Sequence, residues 1–399
     1  MGFFAFTIHT LLLLFVFWFP FFSGAKGGVE TDALVGSSEH FVPSPKTLHF
    51  KNGFQRILLS VALGVVTGLT GALLSVWFIR SLVGYLNRTP LLEGPLIFSP
   101  KIDADALQSA LRNQTQLLGS SSSSSPNGKC YREVLANGLA VAVKRLEPIE
   151  CGRAEARRRM QQQLAVLGGL KHRNVMSLRA YVAEMGSCCL VYDFVPSGSL
   201  EDAMRKVREN QLELNWEVRL RIAVGIARGL QFLHFECNPR ILHCNLKPSN
   251  VLLDAEFEPR LADFGLTNLI SDFDAPPSLY TAPECLNSSR YTDKSDIFSF
   301  GVILSVLLTG RNPTEQASLD GGDDSGSEGR LGRWLDQSVD PREALDKAIR
   351  GEGMEEEEEE EEEEMVLALR IAGVCASELP EDRPCSDELL AMLTQLQSF

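Results

Sequence analysis

Seven short motifs contain the side chains most able to do chemistry, and they follow one another from residue 141 onward. Their lysines, carboxylates and amides are groups with which proteins hold phosphate and divalent cations. One such motif alone carries little information, but the ordered set is highly specific. In chain order the motifs are Val141-Ala-Val-Lys144, His172-Arg-Asn174, His243-Cys-Asn-Leu-Lys-Pro-Ser-Asn250, Asp263-Phe-Gly265, Ala282-Pro-Glu284, Asp296 and Arg383.

The content and order of these motifs resemble the protein kinase family over about residues 100 to 399. Two further segments, Leu190-Val-Tyr-Asp-Phe194 and Pro196-Ser-Gly-Ser-Leu200, resemble the hinge region of plant receptor-like kinases. The resemblance implies a bilobal α+β fold of the protein-kinase type. The apolar pattern agrees, since a strand-like run precedes long buried helical segments. The run is Leu139–Val143, and the helical segments are Trp216–Leu233 and Ile297–Leu308.

The resemblance also predicts that the catalytic site is inactive. In this family an aspartate of the catalytic loop accepts the proton of the substrate hydroxyl. The matching residue here is Asn245, and an amide is not a usable base at neutral pH. The neighbouring arginine of the family, which pairs with a phosphorylated activation loop, is replaced by Cys244. No catalytic residue is therefore assigned. The alternative is a weakly active or atypical Ser/Thr kinase that relies on Asp263 and a metal ion.

The residues that hold nucleotide in the family are only partly present. Gly119 and Gly128 begin and end the expected phosphate loop, but they are nine residues apart where the motif has five, and the middle glycine is missing. Counting back nine residues from His172 places Gln163, not glutamate, opposite Lys144, although an amide oxygen can still accept a hydrogen bond.

Five further positions complete this degenerate nucleotide site, and two explanations of them stay open. The residues either bind ATP and magnesium without turnover, or they are kept because they hold the fold together. Under either explanation, we expect that the protein does not require a cofactor in order to act. By resemblance, Lys247 faces phosphate, whereas Asn250 and Asp263 are the metal positions. The five residues are Ala142, Lys144, Lys247, Asn250 and Asp263.

Other residues of the motifs are assigned structural roles by the resemblance. His243 and Phe264 are expected to stack with Leu167 and Leu178 into the apolar column that joins the two lobes. Glu284 and Arg383 are expected to form the buried ion pair of the lower lobe, and breaking such a pair costs roughly 3 to 5 kcal/mol. Asp296 is also assigned a structural position.

Two apolar stretches near the amino end predict a membrane protein. Residues 1–25 are interpreted as a secretory signal peptide, with an uncleaved anchor as the alternative because the segment lacks an amino-terminal Lys or Arg. Residues 57–79 form a span of about 35 Å as a helix. The segments between and after are a short exterior at 26–56, a juxtamembrane linker at 80–104 and a kinase-like domain at 105–399.

Cysteine placement favours a single-pass type I orientation with the kinase-like domain in the cytoplasm. All nine cysteines lie at Cys130 or later, as expected for a reduced interior. An exterior of about 30 residues cannot build a core, so ligand recognition must come from a partner. Small residues recur on one face of the span and predict helix pairing. They are Ser60, Gly64, Gly68, Gly71, Ala72 and Ser75.

The net charge of −14 is mostly local, since ten consecutive glutamates at Glu355–Glu364 account for ten of the negative charges. The balance argues against nucleic acid as a partner. The glutamates are interpreted as the solvated start of a helix that continues into the apolar run at 365–371, with docking of basic partners left open.

Short exterior, single span and kinase-like domain together resemble plant receptor-like pseudokinases of the leucine-rich-repeat class that lack the repeats. The resemblance implies a plasma-membrane adaptor, delivered through the endoplasmic reticulum, whose span pairs with a CLAVATA-type leucine-rich-repeat receptor-like protein. It implies perception of secreted CLE peptides in meristem maintenance, with other receptor kinases or cytoplasmic effectors as further partners. A trafficking chaperone that only escorts its partner is a third hypothesis.

Overall fold

The computed structural model describes two units, residues 1–88 and 89–399, which are treated separately. Predictions on the signal peptide, on Gly119 and on Gly128 lie outside the described residues. The described ranges are 46–86, 95–112, 116–118, 129–146, 154–184, 187–266, 278–288, 290–313, 341–350 and 356–396.

The described part of the first unit is one long helix, α1, at Lys46–Leu86. It extends beyond the predicted span of 57–79 at both ends. The sequence gives a physical reason, because no proline interrupts it between Pro45 and Pro90. Its segment Gly53–Val83 is long and apolar enough to cross a membrane.

The second unit begins with an antiparallel six-stranded sheet in the order β1-β5-β6-β4-β3-β2. The predicted strand at 139–143 is confirmed as β4. Helix α3, at Ala154–Gly169, contacts β5. The strands are β1 Leu96–Ile97, β2 Gln116–Leu118, β3 Lys129–Val134, β4 Ala140–Leu146, β5 Leu178–Glu184 and β6 Ser187–Asp193.

The structure moves the predicted start of this domain from residue 105 to residue 95 or earlier. Strand β1 lies inside the predicted linker 80–104, and it pairs with β5. Helix α2, at Ala104–Arg112, follows it, and Asp103 caps its start, because a carboxylate oxygen of Asp103 accepts the N–H of Ala106 at 3.1 Å. Its buried Leu107 and Leu111 belong to an apolar cluster with residues of β4, β5 and β6.

Helices dominate the rest of the unit, as the motif order implies. The predicted buried helices at 216–233 and 297–308 are confirmed as α5 and α7. A two-stranded sheet of β7, Val251–Leu253, and β8, Pro259–Leu261, lies between them in the chain. The helices are α4 Leu200–Arg208, α5 Trp216–Gln231 with a π-helical end at Phe232–Glu236, α6 Pro283–Ser288, α7 Asp293–Thr309, α8 Pro341–Ala344, α9 Glu356–Cys375 and α10 Ser386–Leu396.

Glu356–Glu364 of the glutamate run form the first half of α9, as the sequence predicts, but part of this segment is bonded to the domain; Glu355 lies outside the described residues. Glu364 accepts the indole N–H of Trp216 at 2.9 Å. Glu362 pairs with Arg350 at 3.2 Å. Further along, α9 packs closely on α7, because a methyl group on Gly301 would lie 2.8 Å from Cβ of Cys375. Through the contacts of Glu362 and Glu364, the glutamate run also anchors α9 to the domain.

We predict that α2 is an integral part of the sheet lobe. Leu107→Ala removes most of a side chain that is 0% exposed. The free energy of unfolding of residues 89–399, measured by urea titration, should therefore fall by about 2–5 kcal/mol. Leu117→Ala is the control, because Leu117 is 48% exposed and its loss should cost far less. Equal effects of the two substitutions would show that α2 does not stabilise the lobe.

Candidate functional site

The loop between α5 and β7 contains the motif His243–Asn250. Asp296 of α7 accepts hydrogen bonds from the backbone of this loop. The carboxylate of Asp296 accepts the N–H groups of His243 at 2.7 Å and of Cys244 at 2.8 Å. Its Oδ2 atom also lies 3.0 Å from Nε2 of His234. Asp296 is only 1% exposed, and Cys244 has the left-handed φ of 61°. These bonds therefore fix a strained turn just before the base position.

The base position itself is held as a structural element. Asn250 donates its side-chain amide to the carbonyl of Asn245 at 2.8 Å, and its own carbonyl accepts the N–H of Ala262. The Nδ2 atom of Asn245 is buried, and among the described residues it has no hydrogen-bond partner. An amide in this place offers no carboxylate to take a proton. The bond from Asn250 braces the loop, as one of the two sequence explanations requires.

Lys144 and Asp263, expected to hold phosphate and metal, form a direct ion pair. Their side chains are 8% and 13% exposed, so the pair is largely withdrawn from water. Asp263 has a φ of 63°, which is unusual for a residue other than glycine. A metal-bound nucleotide would need the Asp263 carboxylate that Lys144 now holds.

The neighbouring groups respond to this ion pair. Burial lowers the pKa of Lys247, Asp263 opposes that effect, and Lys144 adds to it. Burial, and to a smaller extent the Asp263 carboxylate, raise the pKa of Cys130 to about 11. Ala142 pairs in register with Tyr192 of the hinge strand. Cys130 of β3 and Lys247 of the loop before β7 therefore both lie close enough to Asp263 for its charge to affect their pKa values.

Gln163 does not take the position that counting from His172 assigns to it. It lies on the exposed side of α3, whereas the glutamine buried in this helix is Gln161, at 7% exposure. The reason is helical periodicity, because Met160, Leu164 and Leu167 define the buried face. The described partner of Lys144 is Asp263 rather than a side chain of α3.

The apolar column is assembled as the resemblance implies. The rings of His243 and Phe264 meet edge to face with centroids 6.4 Å apart. Phe264 shares one buried cluster with Leu167 and Leu178. His243 is 0% exposed, and burial lowers its pKa, so the ring is neutral at pH 7.

Glu284 and Arg383 form a two-pronged ion pair, with N–O distances of 2.7 and 3.0 Å. The guanidinium also donates to the carbonyls of Ser377, Lys294 and Glu378. It lies 5.0 Å from the ring centroid of Phe298. Arg383 is 1% exposed, so every polar contact it makes replaces water.

The comparisons with known proteins agree with this geometry. A model of the protein kinase domain matches residues 114–391. The chain belongs to the protein kinase family. The Arabidopsis thaliana protein called "Inactive leucine-rich repeat receptor-like protein kinase CORYNE" is 55% identical over 331 residues, which are 80% of this chain and 79% of that protein.

Two further relatives define the branch of the family. The Arabidopsis thaliana leucine-rich repeat receptor-like serine/threonine/tyrosine-protein kinase SOBIR1 is 32% identical over 76% of this chain and 50% of its own length. The solved pseudokinase domain of BIR2, described as an immune regulator of the RLK/Pelle family, has a TM-score of 0.59 and 29% identity, over 78% of this chain and 88% of that one. The resemblance to plant receptor-like pseudokinases is confirmed, and with Asn245 at the base position this kinase homologue is catalytically inactive.

Two features of the pseudokinase were not foreseen from the sequence. The direct Lys144–Asp263 pair joins residues 119 positions apart, and no local pattern indicates it. Arg219 is buried and donates to Leu307, Leu214 and Asp346. A charged residue inside an otherwise apolar helix was the available signal for Arg219.

The lower-lobe ion pair yields a stability prediction. Arg383→Ala leaves Glu284 without its partner in a largely buried place, so the free energy of unfolding should fall by about 3–5 kcal/mol. Arg240→Ala is the control, because Arg240 is half exposed where it pairs with Asp293 and such pairs contribute about 0–1 kcal/mol. Urea titration of residues 89–399 measures both, and similar small losses would contradict the role given to Arg383.

Two histidines, the buried His243 and the partly buried His172, yield a pH prediction. Burial lowers the pKa values of His172 and His243 in the folded protein, so the unfolded chain binds protons more readily below about pH 6.5. Stability should therefore fall as pH drops from 7 to 5, by at most about 1.4 kcal/mol per pH unit for each histidine. His243→Gln should make this slope shallower in urea titrations at several pH values, and an unchanged slope would exclude His243 as a contributor.

Proposed function

We propose that this protein is a membrane-bound pseudokinase adaptor that pairs through its span with a kinase-less leucine-rich-repeat receptor-like protein. The observation that carries the proposal is a kinase scaffold kept intact around a base position that holds an amide, Asn245. Similarity to CORYNE over 80% of the chain supports the receptor-like class. An inactive kinase domain can still act as a binding surface, so its fold has a use without turnover.

The membrane part of the proposal rests on α1. Its apolar segment suits a single span, and the absence of cysteine before Cys130 in the sequence suits a type I protein of the plasma membrane with the pseudokinase domain inside the cell. The short exterior gives no surface for recognising a ligand by itself. Under this proposal the partner, a CLAVATA-type receptor-like protein, binds the secreted CLE-type peptide, and the complex acts in meristem maintenance.

The small face of α1 supports pairing with another helix. Methyl groups placed on Gly64, Gly68 and Gly71 would meet nothing within 4 Å, so within the described part of the first unit this face is uncovered. The hydroxyls of Ser60 and Ser75 donate to carbonyls of their own helix at 2.9 and 2.8 Å. With these donors satisfied, close approach of backbones is the main interaction that the face offers.

The cytoplasmic part of the proposal concerns what the pseudokinase domain presents. Its surface would bind other receptor kinases or cytoplasmic effectors, with ATP and magnesium not required. The Lys144–Asp263 pair supports this, because a metal-bound nucleotide would compete with Lys144 for the Asp263 carboxylate.

The span predicts a clear effect on partner binding. In the double variant Gly64→Leu, Gly68→Leu, the added side chains should prevent close packing and reduce co-purification of the receptor-like protein from plant membranes by at least about tenfold, equivalent to roughly 1.4 kcal/mol. Ala62→Leu makes the same kind of change on the opposite side of α1 and should leave co-purification unchanged. Undiminished recovery with the double variant would contradict pairing through this face.

A domain replacement separates the adaptor from a mere escort. The adaptor proposal predicts that α1 fused to an unrelated soluble domain restores surface delivery of the receptor but not signalling. Recovery of both would show that the pseudokinase domain is dispensable and would favour the escort.

A further inference from the structure

An open cavity of about 750 Å³ lies among the helices of the lower lobe. It is surrounded by the end of α4, the connection from α4 to α5, the residues that follow α7 and the residues that follow α8. All of its lining residues belong to the described part of the chain. Its volume falls in the range of about 300–1,000 Å³ that is typical of ligand pockets. The cavity shares no residue with the degenerate nucleotide site.

A buried ion pair fixes one wall of the cavity. The guanidinium of Arg219, whose side chain is 0% exposed, donates to a carboxylate oxygen of Asp346 at 2.7 Å and to the carbonyl of Leu307 at 2.6 Å. The other carboxylate oxygen of Asp346 accepts the N–H of Ala348 at 3.1 Å. The negative charge of Asp346 is therefore balanced within the fold, and this wall is formed before any ligand binds.

Three cations line the same cavity, and among the described residues their side chains have no ion-pair or hydrogen-bond partner. Arg208 ends α4, Arg311 follows α7 and Lys347 follows α8. By contrast, Arg350, which lies outside the lining, pairs with Glu362 at 3.2 Å. The three cations of the lining are thus available to an anion.

The balance of charge around the cavity favours an anionic ligand. Apart from Asp346, Glu213 is the one acid of this described lining, and it is exposed. Because Arg219 balances Asp346, the cations of the lining exceed Glu213 by two positive charges. The whole chain has a net charge of −14, so the cavity is a local positive site on an acidic protein. Such a site concentrates acidic ligands that the rest of the surface repels.

Apolar side chains line another part of the cavity. Val207 is 7% exposed, and Leu212 is half-buried. An inorganic anion gains nothing from such contacts, whereas a peptide that combines carboxylates with an apolar side chain uses both kinds of surface. Arginine suits carboxylates in particular, because its planar guanidinium donates two parallel hydrogen bonds to one carboxylate. The lining therefore favours an acidic peptide that contains an apolar residue.

We propose that this cavity is a docking site for a short acidic segment of a cytoplasmic partner protein. The carboxylates of the segment pair with Arg208, Arg311 and Lys347, and one apolar side chain contacts Val207 and Leu212. The inference rests on the proposed function, in which the pseudokinase domain binds cytoplasmic partners, and it names the chemistry that recognises one class of them. Docking here needs neither nucleotide nor phosphoryl transfer, so it suits a domain without a catalytic base.

Fluorescence anisotropy with the labelled peptide Glu-Asp-Leu-Glu-Asp-Leu tests the site on the full-length protein in phosphatidylcholine nanodiscs. At about 0.15 M salt, exposed charges more than about 8 Å apart are largely screened. The double variant Arg311→Glu, Lys347→Glu changes exposed side chains and should weaken binding by at least about tenfold. The control Lys206→Glu, Arg370→Glu makes the same change in net charge outside the cavity and should change the affinity by less than about twofold. No binding to the wild type, or equal losses in the two variants, would overturn the docking site.

Glu213→Gln tests the sign of the ligand's charge. Removing the unbalanced acid of the lining should tighten binding of the same peptide by several-fold, because an acidic ligand then meets less repulsion. Glu381→Gln is the matched control, since Glu381 is exposed and lies outside the lining, and it should leave the affinity unchanged. Unchanged or weaker binding in Glu213→Gln would contradict an acidic ligand in this cavity.

Two further results would assign the cavity to another occupant and so overturn a partner segment. Binding of inositol hexakisphosphate to the wild type, where the peptide does not bind, would indicate a phosphate ligand instead. Peptide binding that appears only after Asp320→Asn, Asp323→Asn and Asp324→Asn would indicate that an acidic segment of the chain itself occupies the cavity.

The receptor assay separates this inference from the proposed function. Arg311→Glu, Lys347→Glu should lose the peptide and keep co-purification of the receptor-like protein through α1. Failure of the wild type to bind the peptide, with the receptor retained, overturns the docking site and leaves the adaptor in place. Loss of the receptor from the wild type, with the peptide retained, contradicts the adaptor and leaves the acidic-segment site.

Discussion

The rest of the site depends on the hydrogen bonds that the carboxylate of Asp296 accepts. A carboxylate that is 1% exposed is stable only when its oxygens are fully hydrogen-bonded, and here two backbone N–H groups and His234 satisfy them. The same bonds hold the positive φ of Cys244 and so determine where Asn245 lies. His234 in turn contacts Ser386 of α10 at 3.1 Å. One buried acid thereby connects the catalytic loop with α5, α7 and α10.

Around this centre, groups that serve phosphoryl transfer in active kinases bond to one another. The positive charge of Lys144 is balanced by the carboxylate of Asp263. The side-chain amide of Asn250 donates a hydrogen bond to the carbonyl of Asn245. Each bond satisfies a polar group that would otherwise be costly to bury. The residues thus have a structural use in this fold, which is one of the two explanations that the sequence leaves open. What such a domain can still supply is its surface.

Much of this arrangement could be predicted from sequence, because kinase motifs are specific as an ordered set. The inactive base position, the Glu284–Arg383 pair and helices α5 and α7 follow from single positions or long apolar patterns. Strand β1 could not, since two residues show no alternation and gain their place only by pairing with β5. Counting residues also misplaced Gln163, because the rotation of α3 depends on packing. The Gly168-Gly169 pair inside a helical pattern was a usable signal for close approach, and Phe98 occupies that place.

The most direct test of this account is a phosphoryl-transfer assay on purified residues 89–399 with magnesium, labelled ATP and a general kinase substrate. An amide at position 245 predicts no incorporation above background into the protein or the substrate, with Lys144→Ala giving the same trace. Incorporation at a rate typical of receptor-like kinases, abolished by Lys144→Ala, would contradict the central claim that this scaffold has lost its chemistry.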